Sequence, residues 1–236
     1  MPVCGNIIVA GDRVLCREVV IRLFEKSRYL KDCRLYLILD AQVNSYDRLF
    51  DILEDAVRAG VDIVQLRDKH GRSRDIFQFA RKCVGLLAGR IPFIVNDRVD
   101  IAVASGADGV HLGQDDLPIS EARKILGQAA IIGISCQSLA HAQTAERAGA
   151  DYIGFGSVFK TLTKPDREPM DLGLLARVCK DIHIPVFAIG GIGRSNLSVI
   201  RAVGVNRAAV CRAVCQAKDI AQAVKDLKSM LCNAVW

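Results

Sequence analysis

Three segments of this chain repeat one theme: Ala59-Gly60-Val61-Asp62-Ile63-Val64, Ser105-Gly106-Ala107-Asp108-Gly109-Val110 and Ala148-Gly149-Ala150-Asp151-Tyr152-Ile153. In each, a small residue and a glycine end an amphipathic stretch, and a short apolar run follows. Glycine supplies the left-handed backbone that closes a helix, and a run of that length, bounded by such a signal, reads as a strand. The repeat therefore predicts successive β-α units, and strands separated by helices must run parallel.

Following this rhythm from Leu35 predicts strands at Leu35–Leu39, Ile63–Leu66, Phe93–Val95, Gly109–His111, Ile131–Ile134, Tyr152–Phe155, Val186–Ile189 and Arg207–Val210. Helices are expected near Asp47–Ala59, Ser73–Leu87, Arg98–Ser105, Ser120–Leu126, Ser138–Ala148, Leu172–Asp181, Asn196–Val203 and Asp219–Leu231. In the first of these, Leu49, Ile52, Leu53, Ala56 and Val57 form one apolar stripe. Eight such units close into a (β/α)8 TIM barrel. A doubly wound open sheet is the alternative, but no G-x-G-x-x-G follows the first strand. The chain thus divides into a single barrel domain over 35–236 and an N-terminal extension over 1–34. The extension carries an apolar Ile7–Ala10 and a helical-looking Arg17–Leu30. It is expected to be helical or partly disordered, either capping the barrel bottom or reflecting an upstream start codon, and it is given no chemistry.

Composition narrows the function. With 51% hydrophobic and 25% charged residues, the chain can bury a sizeable core. Its net charge of +6 is spread along the sequence without a Lys/Arg block, which argues against nucleic acid and for an anionic small molecule. Nine cysteines without paired spacing read as reduced cytosolic thiols. Cys211 and Cys215 are taken as packing residues rather than a metal pair. No apolar stretch has membrane-spanning length, so a cytoplasmic protein without a membrane partner is expected. A homo-oligomer is left open.

In such barrels the residues that follow each strand share one rim, where the chemistry is done. These positions hold Asp40; Arg67 and Lys69; Asn96 and Asp97; His111 with Gln114, Asp115 and Asp116; Ser135 and Gln137; Thr161 to Lys164; Gly190-Gly191; and Cys211-Arg212. Arg67, Lys69 and Lys164 suit a pyrophosphate leaving group, and Asp97 and Asp116, on successive loops, suit one shared Mg²⁺. The plainer reading makes Asp97 a helix N-cap and Asp115 or Asp116 a turn former. Gly190-Gly191 and Cys211-Arg212, after the last two strands, occupy the usual phosphate position of such barrels. His111 reads as a packed, hydrogen-bonded strand-end residue and a poor catalytic choice. Pro165-Asp166-Arg167-Glu168-Pro169 reads as either a lid or a static surface loop.

Taken together, Gln65-Leu66-Arg67-Asp68-Lys69, Val95-Asn96-Asp97-Arg98, Ala107 to Pro118, Gly133-Ile134-Ser135, Gly154 to Lys164 and Ala188 to Ile192 resemble the thiamine-phosphate synthase family of barrel enzymes. The resemblance runs from about Leu35 to Leu231. It implies a transferase that joins an aminopyrimidine methyl diphosphate to a thiazole phosphate, or its carboxylated form, and releases pyrophosphate through a pyrimidine cation. It further implies that Gln65, Leu66, Arg67, Asp68, Lys69, Asn96, Ser135 and Lys164 hold the pyrimidine diphosphate, with Arg67, Lys69, Ser135 and Lys164 catalytic. Asp97 and Asp116 are implied Mg²⁺ ligands, and Thr161, Thr163, Gly191, Cys211 and Arg212 the thiazole-phosphate contacts. Two positions depart from the family pattern, which commonly has Ser at Arg212 and His at Gln137. A related thiazole tautomerase uses that His as its acid/base group, so Gln137 speaks against an isomerase. A non-catalytic phosphate-binding barrel is the remaining alternative.

Overall fold

The computed structural model describes residues 7–10 and 13–16 in backbone, and 26, 29–161 and 168–232 in full. Eight parallel strands close into a barrel: β3 (Leu35–Asp40), β4 (Ile63–Arg67), β5 (Phe93–Asn96), β6 (Gly109–Leu112), β7 (Ile131–Cys136), β8 (Tyr152–Phe155), β9 (Val186–Ile189) and β10 (Ala208–Val210), with β10 pairing back onto β3. Around it lie α1 (Tyr46–Ala59), α2 (Ser73–Leu87), α3 (Val99–Ser105), α4 (Ile119–Leu126), α5 (Leu139–Arg147), α6 (Leu172–Asp181), α7 (Leu197–Ala202), a short α8 (Arg212–Cys215) and α9 (Ile220–Cys232).

The N-terminal extension departs from the helical expectation. Residues Ile7–Ala10 (β1) and Arg13–Cys16 (β2) pair as an antiparallel hairpin. Two β-rich runs separated by Gly11-Asp12 are a hairpin pattern, which the helical reading overlooked. Most of Arg17–Leu30 lies outside the described residues, but residues 29–32 form a helical turn.

The repeated aspartates have a common structural job. The N–H of Asp62 donates to Leu35 O (3.1 Å), and its carboxylate accepts from Leu35 N (3.0 Å). Asp108 holds Phe93 in the same way, at 2.9 and 2.8 Å. Asp151 holds Ile132, with both contacts at 2.8 Å. Each aspartate is therefore a two-point clamp on the start of the neighbouring strand, where the ladder would otherwise leave a backbone N–H unpaired. The preceding glycines, Gly60 (φ 93°), Gly106 (φ 75°) and Gly149 (φ 84°), turn the chain into this position through left-handed backbone.

Alternate strand residues face opposite sides of the barrel wall. Outward residues such as Leu37, Leu39, Val64, Leu66, Val95 and Val110 pack beneath the helices in the main core. Inward residues Tyr36, Ile38, Ile63, Ile94, Ile131, Tyr152, Phe187 and Ala209 form a separate inner core. Tyr36, Tyr152 and Phe187 meet edge to face there, with ring centroids 5.4–5.6 Å apart. Gly133 makes room for this cluster, since a Cβ there would collide with the Tyr152 ring.

Several strands run further toward the rim than the apolar pattern predicts. Asp40 pairs with Arg67, Asn96 with His111 and Ser135 with Gly154, all within the sheet ladder. Polar side chains do not end a strand when its backbone still has a partner, so these groups sit on rigid β-structure rather than on loops.

Candidate active site

The inner aromatic cluster floors a cavity of about 350 Å³ that opens at the C-terminal end of the strands. Its wall is built from the last inward side chain of successive strands: Asp40, Arg67, Asn96, His111 and Ser135, with Gln65 one layer below. The opposite wall comes from Lys160, Thr161, Gly190 to Gly193, Cys211 and Arg212. Cavities of a few hundred Å³ suit small-molecule ligands.

A chain of hydrogen bonds runs through the barrel beneath this cavity. The Gln65 amide donates to Tyr36 Oη (2.6 Å), which lies 2.7 Å from Tyr152 Oη. Tyr152 Oη is 3.0 Å from His111 Nδ1, and His111 Nε2 is 3.0 Å from Ser135 Oγ. Every one of these buried polar groups thus has a partner, which is the condition for tolerating them inside a barrel. Burial pushes the Tyr36 and Tyr152 phenols well above their ordinary pKa, so both stay neutral donors. His111 is packed and hydrogen-bonded, as its strand-end position suggests, yet it also lines the cavity and bonds to Ser135.

On the next part of the rim, charged groups are held in place before any ligand arrives. Arg67 Nη1 donates to Asp40 Oδ2 (2.7 Å) and Gln42 Oε1 (2.8 Å). Lys69 is ion-paired with Asp97. Asp97 itself is within hydrogen-bonding reach of Asp116, and burial together with that second carboxylate outweighs Lys69 and holds Asp97 above the usual carboxylate range. Asp97 has φ 61°, and the residue at the N-cap of α3 is Arg98, so the capping reading of Asp97 does not hold. Asp116 does shape its turn, accepting from Gly113 N–H at 2.6 Å.

Lys69, Asp97 and Asp116 stand on the rim and are not among the residues that line the cavity, and two further residues of the first motif turn away from it. Leu66 packs in the outer core because it occupies an outward strand position. Asp68 accepts from Tyr46 Oη (2.5 Å) and from the N–H groups of His70 (2.9 Å) and Gly71 (2.7 Å). It therefore fixes the loop that carries Lys69. Across the mouth, Gly190 (φ 104°) and Gly191 (φ 64°) adopt left-handed backbone, and the buried Nε of Arg212 has no hydrogen-bond partner among the described residues. The Cys211 thiol is pushed up, first by its hydrogen bond with Cys215 and then by burial, which leaves it an uncharged wall group. Thr161 lines the cavity; Thr163, Lys164 and residues 165–167 lie outside the described residues. Sequence reasoning from strand ends missed Tyr36, Tyr152 and Phe187. Counting inward from the rim in steps of two along each strand would have found them.

A parallel eight-stranded barrel with fixed cations, a close carboxylate pair and a glycine-rich loop around one mouth defines a phosphate-handling barrel enzyme. The chain belongs to the thiamine monophosphate synthase family, whose sequence profile matches residues 35–214. Thiamine-phosphate synthase of Halalkalibacterium halodurans is 42% identical over 193 residues, covering 81% of this chain and 92% of that protein. Its counterpart in Clostridium novyi is 43% identical over 199 residues, covering 84% and 98%. The solved thiamine phosphate pyrophosphorylase of Pyrococcus furiosus superposes with a TM-score of 0.76 at 35% identity, covering 87% of this chain and 96% of that one. A 3-hexulose-6-phosphate synthase at 17% identity and TM-score 0.66 shares the fold alone.

Proposed function

We propose that the barrel mouth joins 4-amino-2-methyl-5-(diphosphooxymethyl)pyrimidine to 4-methyl-5-(2-phosphooxyethyl)thiazole, giving thiamine phosphate and pyrophosphate. One observation carries this reading: two anion-ready walls face each other across a single cavity. Arg67 on β4 lines one side, with the Lys69–Asp97–Asp116 cluster on the rim beside it and outside the cavity lining, and Gly190 to Gly193 with Arg212 line the other side on β9 and β10. A diphosphate and a phosphate monoester would occupy these two walls, with the rings between them above the apolar floor.

The diphosphate lies against Arg67 and Lys69, whose positions are set by Asp40, Gln42 and Asp97. Orientation fixed in advance means that little side-chain entropy is lost when phosphate oxygens arrive. Gln65, Asn96 and Ser135 present amide and hydroxyl groups to the pyrimidine, and Lys164 completes the diphosphate contacts. Leu66 and Asp68 contribute from behind, by packing β4 and by bracing the loop of Lys69.

Asp97 and Asp116 fit a hard divalent cation, because two carboxylates this close repel one another and need a positive partner beyond Lys69. Mg²⁺ held there would offset the charge that grows on departing pyrophosphate. Departure before bond formation leaves a cationic pyrimidine, which the thiazole nitrogen then attacks. The thiazole phosphate sits on Thr161, Thr163, Gly191 and Cys211, with Arg212 adding a guanidinium where the family commonly has Ser. That extra cation also suits a carboxylated thiazole. Gln137 in place of an acid/base His disfavours an isomerase, and a merely phosphate-binding barrel has no need of the carboxylate pair. The free thiols of the seven described cysteines accord with a cytoplasmic setting; among the described residues, no helix is long and apolar enough to cross a membrane.

The test is a steady-state assay of thiamine phosphate formation at varied Mg²⁺. Asp97→Asn and Asp116→Asn are each expected to raise the Mg²⁺ needed and to lower turnover roughly tenfold to a hundredfold, as loss of metal-site partners does elsewhere. Full activity in both variants at limiting Mg²⁺, with folding unchanged, would sink the metal assignment.

A further inference from the structure

Among the described residues, two buried guanidinium Nε groups have no hydrogen-bond partner: Arg212 at the substrate mouth, and Arg207 at the opposite end of the barrel. Arg207 lines a second cavity, of about 360 Å³, at the N-terminal ends of β9 and β10. Lys31, from the helical turn before β3, and His183, from the loop before β9, also line it. Among the described residues, those that line this cavity include no aspartate or glutamate.

Its positive charges are pressed together. Arg207 Nη2 donates to Lys31 O at 2.7 Å, and Arg34 Nη1 donates to the same carbonyl at 2.9 Å. One oxygen therefore draws two guanidinium groups into proximity. Burial and the neighbouring Arg34 together lower the proton affinity of Arg207. None of Lys31, Arg34, His183 and Arg207 takes part in an ion pair among the described residues. Of the carboxylates nearby, Glu146 accepts from the backbone N–H groups of His183 (2.7 Å) and Ile184 (3.2 Å), Asp62 accepts from that of Arg34 (3.0 Å) and pairs with Lys228, and Asp32 acts on Arg207 through space. Partly buried like charges that no ion pair among the described residues offsets are costly, and a bound anion relieves the cost.

We propose that this cleft is a second anion site, distinct from the substrate mouth, which takes compact phosphate species carrying two or more negative charges. Arg207 and Arg34 supply the field, and the ammonium of Lys31 and the ring of His183 supply direct donors at the opening. The cleft has the volume of a small-molecule site. The inference stands on the cleft alone and is independent of the reading of the mouth.

The experiment uses the full chain labelled with ¹³C at the histidine ring, so that His183 and His111 report separately on the two ends of the barrel. Inorganic diphosphate is titrated in without metal, and glycerol phosphate serves as the monoester probe. The His183 signal is expected to shift and saturate, with affinity falling about tenfold or more in Lys31→Gln, which loses a charge-assisted contact, and in Arg207→Gln, which loses a partly buried charge of the field. Lys31→Gln keeps the test valid if Arg207→Gln disturbs folding, because the Lys31 side chain lies on the exposed side. Saturation with diphosphate supports a free ion as occupant, and saturation with glycerol phosphate alone supports a phosphate ester. A shift reproduced by sodium chloride at equal ionic strength, no shift with either probe, or unchanged affinity in both variants overturns the proposal.

Discussion

Replacing Tyr152 by Phe tests whether the buried hydrogen-bond chain, rather than the aromatic packing, organises the site. The substitution keeps the ring and its edge-to-face contacts with Tyr36 and Phe187. It deletes only the hydroxyl, which lies 2.7 Å from Tyr36 Oη and 3.0 Å from His111 Nδ1. Tyr36 retains its bond from Gln65, and His111 retains its bond with Ser135. Each lost hydrogen bond costs about 0.5–1.5 kcal/mol, so with two bonds gone roughly 1–3 kcal/mol of stability should go. For a chain of this size that corresponds to a fall of roughly 2–12 °C in Tm. His111 then holds Ser135 less firmly, and kcat/KM should drop about tenfold, with the larger part in kcat. Thermal unfolding and steady-state kinetics read the two effects. The double variant Tyr36→Phe/Tyr152→Phe should be less destabilised than the sum of its parts, since one removed bond is shared. A Tm within about 1 °C of the parent, or strict additivity in the double variant, would refute the network argument.

Two further outcomes are expected. Asp108→Ala opens the clamp on Phe93, whose N–H donates to that carboxylate at 2.8 Å; a loss of about 1–3 kcal/mol and faster hydrogen exchange at the Phe93 amide should follow, with turnover little changed. Asp97, raised by burial and by Asp116 against the pull of Lys69, binds its proton more tightly in the folded state than in the unfolded chain. Its contribution to stability is therefore present below the unfolded carboxylate range and is lost as pH rises through the folded pKa. In the metal-free protein its carboxyl ¹³C resonance should titrate above the ordinary range, and Mg²⁺ should move that titration to lower pH; a titration indifferent to Mg²⁺ would contradict the proposed ligand role.

The repeated Gly-x-Asp join made the barrel legible, because the same three positions perform the same physical task each time: glycine turns the chain, and aspartate fastens the next strand to its neighbour. The charged rim was legible for a related reason. Lys69, Asp97 and Asp116 lie just beyond the apolar runs, where the change of composition marks a strand leaving the core. What stayed hidden were the groups within those runs. Tyr36 and Tyr152 look like ordinary strand residues, and only the closure of the barrel turns both inward until their hydroxyls meet 2.7 Å apart, 116 positions from one another in sequence. The strand ends were misplaced for the converse reason. Asp40, Arg67 and Asn96 look like loop residues, yet their backbones remain paired in the ladder. That placement bears on function: a cation or amide held on a strand varies little in position, so the barrel wall itself sets the spacing between the two sides of the mouth.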